Sequence, residues 1–201
     1  MSISNAEVIR LYGLLGIGKI PSLGGPASLQ TPSIAQTHPL ETLTGTQTPL
    51  STRMYLSSIY INTNQTIRNI NYISSGAESG GSHLWFALYD DGRGSSSAGQ
   101  LALLGQTADQ TGAVAFPSTT NLGLSLLTPY TTTYSGVYYV GFQCVAGGTP
   151  TILAVLINGG ATSAGAFYGG FVSVNSSNAP NPSGAINTSS ANTFNLYAYV
   201  S

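Results

Sequence analysis

Few side chains in this sequence carry the chemistry to act on or hold another molecule. Asp90-Asp91-Gly92 sets two carboxylates side by side, and Asp109 follows further on. Paired carboxylates flanking one bond are the machinery of glycoside hydrolysis. Adjacent carboxylates completed by carbonyls are also a start toward the roughly six to eight oxygens that Ca²⁺ takes. The same residues make an ordinary hydrophilic turn, with Asp bonding its own backbone. We read them as that turn and keep Asp90 and Asp91 as the calcium candidate. His38 and His83 lie far apart in sequence and lack a matching nucleophile signature. There is no Gly-X-Ser-X-Gly elbow, and no His-Glu-X-X-His, P-loop or dinucleotide fingerprint. The single Cys144 cannot build an internal disulfide or a Cys-X-X-Cys metal site. Its surroundings, residues 140–145, read as a buried strand with an inert thiol. Tyrosine outnumbers the other aromatics, 12 against 6 Phe and 1 Trp. Tyr130, Tyr134, Tyr168, Tyr197 and Tyr199 have the faces to stack on sugar C–H surfaces, and equally the amphipathic shape of strand or subunit contacts. Tyr130, Tyr134 and Tyr168 are the candidates for glycan contact. The sequence predicts no catalytic residue and no cofactor.

The elements that must position these residues are set by an unusual composition. In 201 residues, Lys, Arg, Asp and Glu together make up 5 %, against about 25 % in ordinary soluble domains. Gly, Ser, Thr, Asn and Tyr stand in their place, so hydroxyls, amides and backbone must hydrate the surface. The net charge is −1, and Arg10, Lys19, Arg53, Arg68 and Arg93 form no basic patch. A nucleic-acid backbone or an anionic membrane therefore has nothing to bind electrostatically. The longest near-apolar run, residues 152–157, falls far short of the ~20 residues of a membrane span. The start does not read as a secretory signal, with Glu7 ahead of Arg10 and Gly13 and Gly16 breaking the apolar run. For this reason the Asn-X-Ser/Thr triplets at Asn64, Asn175 and Asn187 are discounted as glycosylation sites. Such a composition fits a β-rich module of an extracellular or virion surface, released by lysis.

The chain divides near residue 50. Ser4-Asn5-Ala6-Glu7 has the form of a capping box, which predicts a short helix over 5–15 with Val8, Leu11, Leu14 and Leu15 on one stripe. The text then turns to Gly, Ser and Thr with Pro21, Pro26, Pro32, Pro39 and Pro49, an extended composition. Hydrophobes recur through it, unlike a solvated linker. Residues 1–50 are expected to be a docking arm, with Leu11, Leu14, Leu15, Ile17 and Ile20 carrying the anchor. The alternative is irregular strands packed on the arm's own domain.

Residues 51–201 predict strands throughout: 52–61, 66–73, 84–89, 101–106, 112–116, 122–127, 136–145, 151–157, 166–174 and 193–200. The alternation slips at Ser57-Ser58 and again near Ile70, each a bulge signal. The run 84–89 is apolar on every residue, as in a strand buried on both faces. Residues 74–82 and 175–191 are expected to be loops. About ten short strands with Gly, Ser, Asn and Pro turns make an all-β sandwich or barrel. The Cys…Trp…Cys spacing of an immunoglobulin domain is missing. An antiparallel, jelly-roll-like β-sandwich with an extended N-terminal arm fits best.

Four strand motifs carry a family resemblance: Arg53-Met54-Tyr55-Leu56, Trp85-Phe86-Ala87-Leu88-Tyr89-Asp90, Gln106-Thr107-Ala108-Asp109-Gln110 and Tyr138-Tyr139-Val140-Gly141. Over residues 52–155 the chain resembles β-sandwich virion proteins of tailed actinobacteriophages, among them head-decoration, head-fibre and minor tail proteins. The resemblance weakens after 160 and is absent in the arm. It implies a structural, non-enzymatic protein on the virion surface, contacting major capsid or tail proteins and self-associating as a trimer. The other function it leaves open is a minor tail or adhesin module that recognises host cell-surface glycans through loops 74–82 and 175–191 and exposed tyrosines.

Overall fold

A computed structural model describes residues 33–39, 43–51, 53–90, 101–110, 116, 120–156, 169–173 and 194–201. Among them the regular structure is all strand: β1 (Ala35–Gln36), β2 (Gly45–Gln47), β3 (Arg53–Ile61), β4 (Thr66–Gly76), β5 (Ser79–Asp90), β6 (Ala102–Gln106), β7 (Asn121–Thr131), β8 (Gly136–Gly148), β9 (Thr151–Leu156), β10 (Gly169–Ser173), β11 (Phe194–Leu196) and β12 (Ala198–Val200). No helix of the described residues is long and apolar enough to cross a membrane.

Two antiparallel sheets pack face to face. One runs β10-β3-β8-β5-β6. The other runs β1-β12-β4-β9-β11, with β2 also on β9 and β7 on β4. Alternate residues of each strand fill the space between them. Tyr55, Ile59 and Ile61 of β3, Leu84, Phe86 and Leu88 of β5, and Tyr138, Val140, Phe142 and Cys144 of β8 come from the first sheet. They meet Ile67, Ile70 and Tyr72 of β4, Ile152 and Ala154 of β9, and Ala198 and Val200 of β12. At the centre Tyr72 packs on Phe86 at 4.7 Å and on Phe142 at 5.1 Å between ring centroids.

The slip expected at Ser57-Ser58 is not a bulge. β3 pairs with β8 without a shift from Tyr55↔Phe142 to Ile61↔Gly136. The pattern misled because both faces of the strand are apolar there. Odd positions enter the main core, while Met54 and Leu56 join a second cluster on the far face with Trp85, Ala87, Tyr89, Leu101 and Tyr139. β5 has the same double burial, as its unbroken apolar run predicts. Gly141 makes room in this second cluster: a Cβ there would stand 3.2 Å from Met54 Sδ and 3.3 Å from the Tyr89 ring. The slip near Ile70 is a bulge, between Ile67 and Asn69. The N–H groups of Arg68 and Asn69 both donate to the Ser201 carbonyl, at 2.7 and 2.8 Å, the shared acceptor that an extra residue in a ladder requires.

Residues 74–82 are not a loop. β4 continues to Gly76 and β5 begins at Ser79, so only Ala77 and Glu78 turn the chain. Ser74 pairs with Ile152 and Ser79 with Gly148. A ladder joins backbone groups, so Ser and Gly can extend it where no apolar face is needed. A bulge between Gly81 and His83 absorbs the twist, and Gly80 takes a positive φ of 63° that suits glycine. Residues 35–36 and 45–47, placed with the arm on sequence, join the seven-stranded sheet: Ala35 pairs with Val200, and Gly45 with Ala154. Two- and three-residue strands are too short to show a period. The single strand expected at 193–200 is a crossover. Residues 194–196 pair with β9, residues 198–200 with β4, and the Tyr197 N–H reaches Leu153 O between them. The strand expected at 112–116 lies outside the described residues except for Phe116, which is buried in the core. The loop expected at 175–191 lies outside them entirely.

Candidate functional site

One end of the sandwich is built from the β3–β4 turn (62–65) and the β7–β8 turn (132–135). Strand register brings them together, since Ile61 pairs with Gly136 and Thr66 with Thr131. Thr132 staples them. Its Oγ1 donates to Asn62 O at 2.6 Å and accepts the Gln65 N–H at 2.9 Å. Its backbone N–H bonds Gln65 O, and its carbonyl takes the Asn64 N–H. Ser135 Oγ accepts the Thr63 N–H at 2.9 Å. Asn64 sits at φ 60°, a left-handed position that Asn tolerates.

Two of the three candidate glycan tyrosines meet at this end. Tyr134 stacks on Tyr138 at 4.8 Å with planes 19° apart, and Tyr130 meets Tyr138 edge-on at 6.5 Å. Tyr138 is fully buried and donates its hydroxyl to Tyr134 O at 3.0 Å. Burial pushes that hydroxyl above its ordinary range, and the neighbouring Tyr130 adds to the shift. Tyr130 and Tyr134 are half-buried against the core, so part of each ring already serves packing. Tyr168 lies outside the described residues, as do the anchor residues Leu11, Leu14, Leu15, Ile17 and Ile20. Sequence reasoning missed Tyr60, which is 60 % exposed, and its cross-strand partner Val137, 37 % exposed. Alternation sets Tyr60 out of phase with Ile59 and Ile61, but Met54 and Leu56 in the same phase are buried, so the pattern alone did not mark it as exposed.

Asp90 ends β5, paired with Ala102 and Tyr138, and only 8 % of it is exposed. Its neighbour Asp91 lies outside the described residues. Among the described residues no three His, Cys, Asp or Glu side chains converge in a way that could hold a metal ion. The third carboxylate, Asp109, does meet a histidine: Asp109 Oδ2 lies 2.6 Å from His83 Nδ1. Its other oxygen accepts the Leu84 N–H at 3.1 Å. Thr107 does the same for Phe86, whose N–H donates to Thr107 Oγ1 at 2.9 Å. The segment after β6 thus extends the ladder along β5 with side-chain oxygens. The His83–Asp109 contact ties β5 to the segment after β6.

No protein-family model matches the chain, and no curated protein matches it.

Three further groups with chemistry lie wholly or partly inside the fold. Cys144 is a free thiol inside the core. Burial, reinforced by the charge of Glu78, pushes its pKa far up, which removes the thiolate that reactivity needs. Glu78 folds back over Gly81, filling the space a Cβ would occupy there, and its Oε2 has no hydrogen-bond partner. His38 is half-buried beside Asn195, and burial lowers its pKa.

Proposed function

We propose that this chain is a structural protein of a tailed-phage virion, a capsid decoration or head-fibre protein whose domain is a jelly roll. The observation that carries the fold reading is the order of pairing. Strands β2 to β9 fall into two four-stranded sets, β2-β9-β4-β7 and β3-β8-β5-β6. Apart from β5 to β6, each successive pair from β2 to β9 changes sheet, as in a jelly roll. The strands β1, β10, β11 and β12 are additions at the edges of that plan. The four motifs that resemble virion proteins lie on β3, β5, β8 and the segment after β6, all within the five-stranded sheet and its extension. A resemblance confined to core strands speaks for a shared lineage rather than a shared site.

In this reading the work is passive. The domain projects from the particle, apolar side chains of the arm at Leu11, Leu14, Leu15, Ile17 and Ile20 dock on major capsid or tail subunits, and copies associate as trimers. There is no turnover and no cofactor. The test is co-sedimentation of the full-length protein with purified heads and, separately, tails of the parent phage, beside a Leu11→Asp, Leu15→Asp double variant. Saturable binding to heads that the double variant loses supports the proposal. Binding to tails alone moves the protein to the tail, and binding to neither refutes a virion role.

A further inference from the structure

The strand β1 is fastened by few bonds, and a histidine follows directly in the chain. β1 is two residues long. The segment 33–39 around it meets the β11–β12 stretch through the Ile34 N–H to Val200 O at 2.8 Å, the Thr37 N–H to Ala198 O at 2.9 Å and the Ala198 N–H to Thr37 Oγ1 at 3.1 Å. Tyr197 donates its hydroxyl to Gln36 Oε1 at 3.2 Å, and Ile34 and Ala35 lend partly buried apolar contact with the core. A segment held this way opens at lower cost than the long ladders of β3, β5 and β8.

His38 sits at the end of this fastening. Its Nδ1 is buried with no hydrogen-bond partner, and its Nε2 lies 3.5 Å from Nδ2 of Asn195, a residue buried on β11. An amide nitrogen can only donate. Protonating the ring would set an Nε2–H against a donor and leave the Nδ1–H without an acceptor. Turning the Asn195 amide would offer Nε2 an oxygen and still leave the Nδ1–H unpaired. In either orientation the site takes the neutral ring and penalises the cation, and burial lowers the His38 pKa accordingly. No acidic side chain occurs in β1 to β4 or β9 to β12. The charged groups on those strands are Arg53 and Arg68, and the phenols on them and on the β11–β12 link are Tyr55, Tyr60, Tyr72, Tyr197 and Tyr199. None of these offers a negative charge to an imidazolium in acid. Glu41, three residues on in the chain, lies outside the described residues.

We propose that residues 33–39 are an acid-released strap: protonation of His38 detaches β1 from β12 while the rest of the sandwich keeps its fold. Opening gives the imidazolium water at the cost of the few bonds above. It frees the backbone edge of β12 at Ala198 and Val200 and lengthens the chain that leads into the domain. The sign follows from linkage. The open strap titrates near the ordinary value of 6.5 and the closed one below it. The closed state therefore keeps its full advantage above about pH 6.5 and loses up to about tenfold per pH unit beneath it, until the pH reaches the value of the closed ring. The device belongs to the domain itself and stands whether or not the chain binds a particle.

The test is amide exchange of the full-length protein by NMR between pH 7 and pH 5, corrected for the intrinsic rate. Protection of the Ile34 and Thr37 amides should fall at least about tenfold over that range, with the amides of β5 and β8 unchanged. His38→Gln should flatten the response, whereas Glu41→Gln and His83→Gln should keep it. Titration of the His38 ring signals in the unmodified protein is the second measurement, independent of how the variants fold, and its midpoint should lie below 6.5. The proposal is overturned if the two amides keep their protection at pH 5, if all strands lose protection together, if the loss survives His38→Gln or disappears in Glu41→Gln or His83→Gln, or if the His38 ring titrates at or above its ordinary value.

Discussion

Tyr72 is fully buried, and its hydroxyl has no hydrogen-bond partner. It is wedged between Phe86 and Phe142, whose faces offer no oxygen or nitrogen. A buried hydroxyl left unmade costs about 1–3 kcal/mol. Tyr72→Phe removes the hydroxyl and keeps the ring, so the loss is one polar atom and a void smaller than a methyl group. Taking the middle of that range, about 2 kcal/mol, and subtracting about 1 kcal/mol for the lost packing leaves a net stabilisation of about 1 kcal/mol. With a urea slope of about 2 kcal/mol/M, the unfolding midpoint at pH 7 should rise by about 0.5 M. A second signature lies at alkaline pH. Burial drives the Tyr72 pKa far above its ordinary value near 10, so the folded state keeps a proton that the unfolded chain loses. That contribution is fully present below about pH 10 and is lost as pH climbs above it, at up to about 1.4 kcal/mol per pH unit. Tyr72→Phe should remove one such increment of slope and leave those of Tyr89 and Cys144, which burial also raises. Urea titrations at pH 7 and at intervals above 10 measure both. A lower midpoint at pH 7 with an unchanged alkaline slope would refute the reasoning, because it would mean that the hydroxyl is solvated in the folded state.

Three further outcomes follow from the packing. Gly141→Ala puts a Cβ against Met54 Sδ and the Tyr89 ring, and overpacking of this kind should cost about 1–3 kcal/mol in chemical denaturation. Gly105→Ala serves as its control, since the nearest atoms a Cβ there would meet, on Leu126 and the Thr128 carbonyl, lie at 3.6 Å or more. Asp109→Ala strands the buried Leu84 N–H and frees His83, and should lower stability by about 2 kcal/mol. Asp109→Asn keeps an acceptor for Leu84 and should lose less, with amide exchange at Leu84 distinguishing the two. Cys144 should resist iodoacetamide in the native protein at pH 8 and react at the rate of an ordinary thiol in urea, as mass spectrometry can follow.

The strands were legible where one face alone is apolar, or where an apolar run is unbroken. Residues 84–89 announce double burial because every position is apolar, and Leu84 and Trp85 do enter opposite clusters. The same double burial in β3 imitated a bulge, since Met54 and Leu56 on one face followed by Ile59 and Ile61 on the other look like a change of phase. A one-dimensional pattern cannot separate these cases; the register against β8 can. The passage from one sheet to the other over residues 74–82 was hidden for the opposite reason. Ser74, Ser75, Ser79 and Ser82 carry no periodic signal, yet their backbone groups complete two ladders. Long-range partnerships were out of reach altogether. Nothing in the local text of His83 names Asp109, 26 residues on, and nothing near Asn62 names Thr132, 70 residues away. Both meet because strands far apart in the chain bring their ends to one edge of the fold. Of the candidate glycan residues, Tyr130 and Tyr134 were visible as types, while the exposure of Tyr60 required knowing which face of β3 the core occupies.

The scarcity of charge has its own consequence for what holds the sandwich together. With eleven acidic and basic side chains in total, 5 Lys or Arg and 6 Asp or Glu, Coulomb interactions have little to contribute that salt could screen. Exposed polar contacts among the described residues include Thr–Thr and Ser–Asn pairs, such as Thr48 with Thr151 at 3.1 Å and Ser125 with Asn69 at 2.8 Å, and neutral hydrogen bonds do not respond to Debye screening. The apolar faces on both sides of β3, β5 and β8 supply the larger part of the stability, and burial of that kind is strengthened by excluded salts. Stability should therefore stay flat, within about 0.5 kcal/mol, as sodium chloride rises from about 20 mM to 500 mM. It should rise steadily in sodium sulfate at matched ionic strength. Thermal unfolding in the two salt series separates the contributions. A marked loss of stability in chloride would mean that an ion pair such as His83 with Asp109, at 2.6 Å, matters more than the double-sided apolar packing. A flat response in both would place the weight on the backbone ladders.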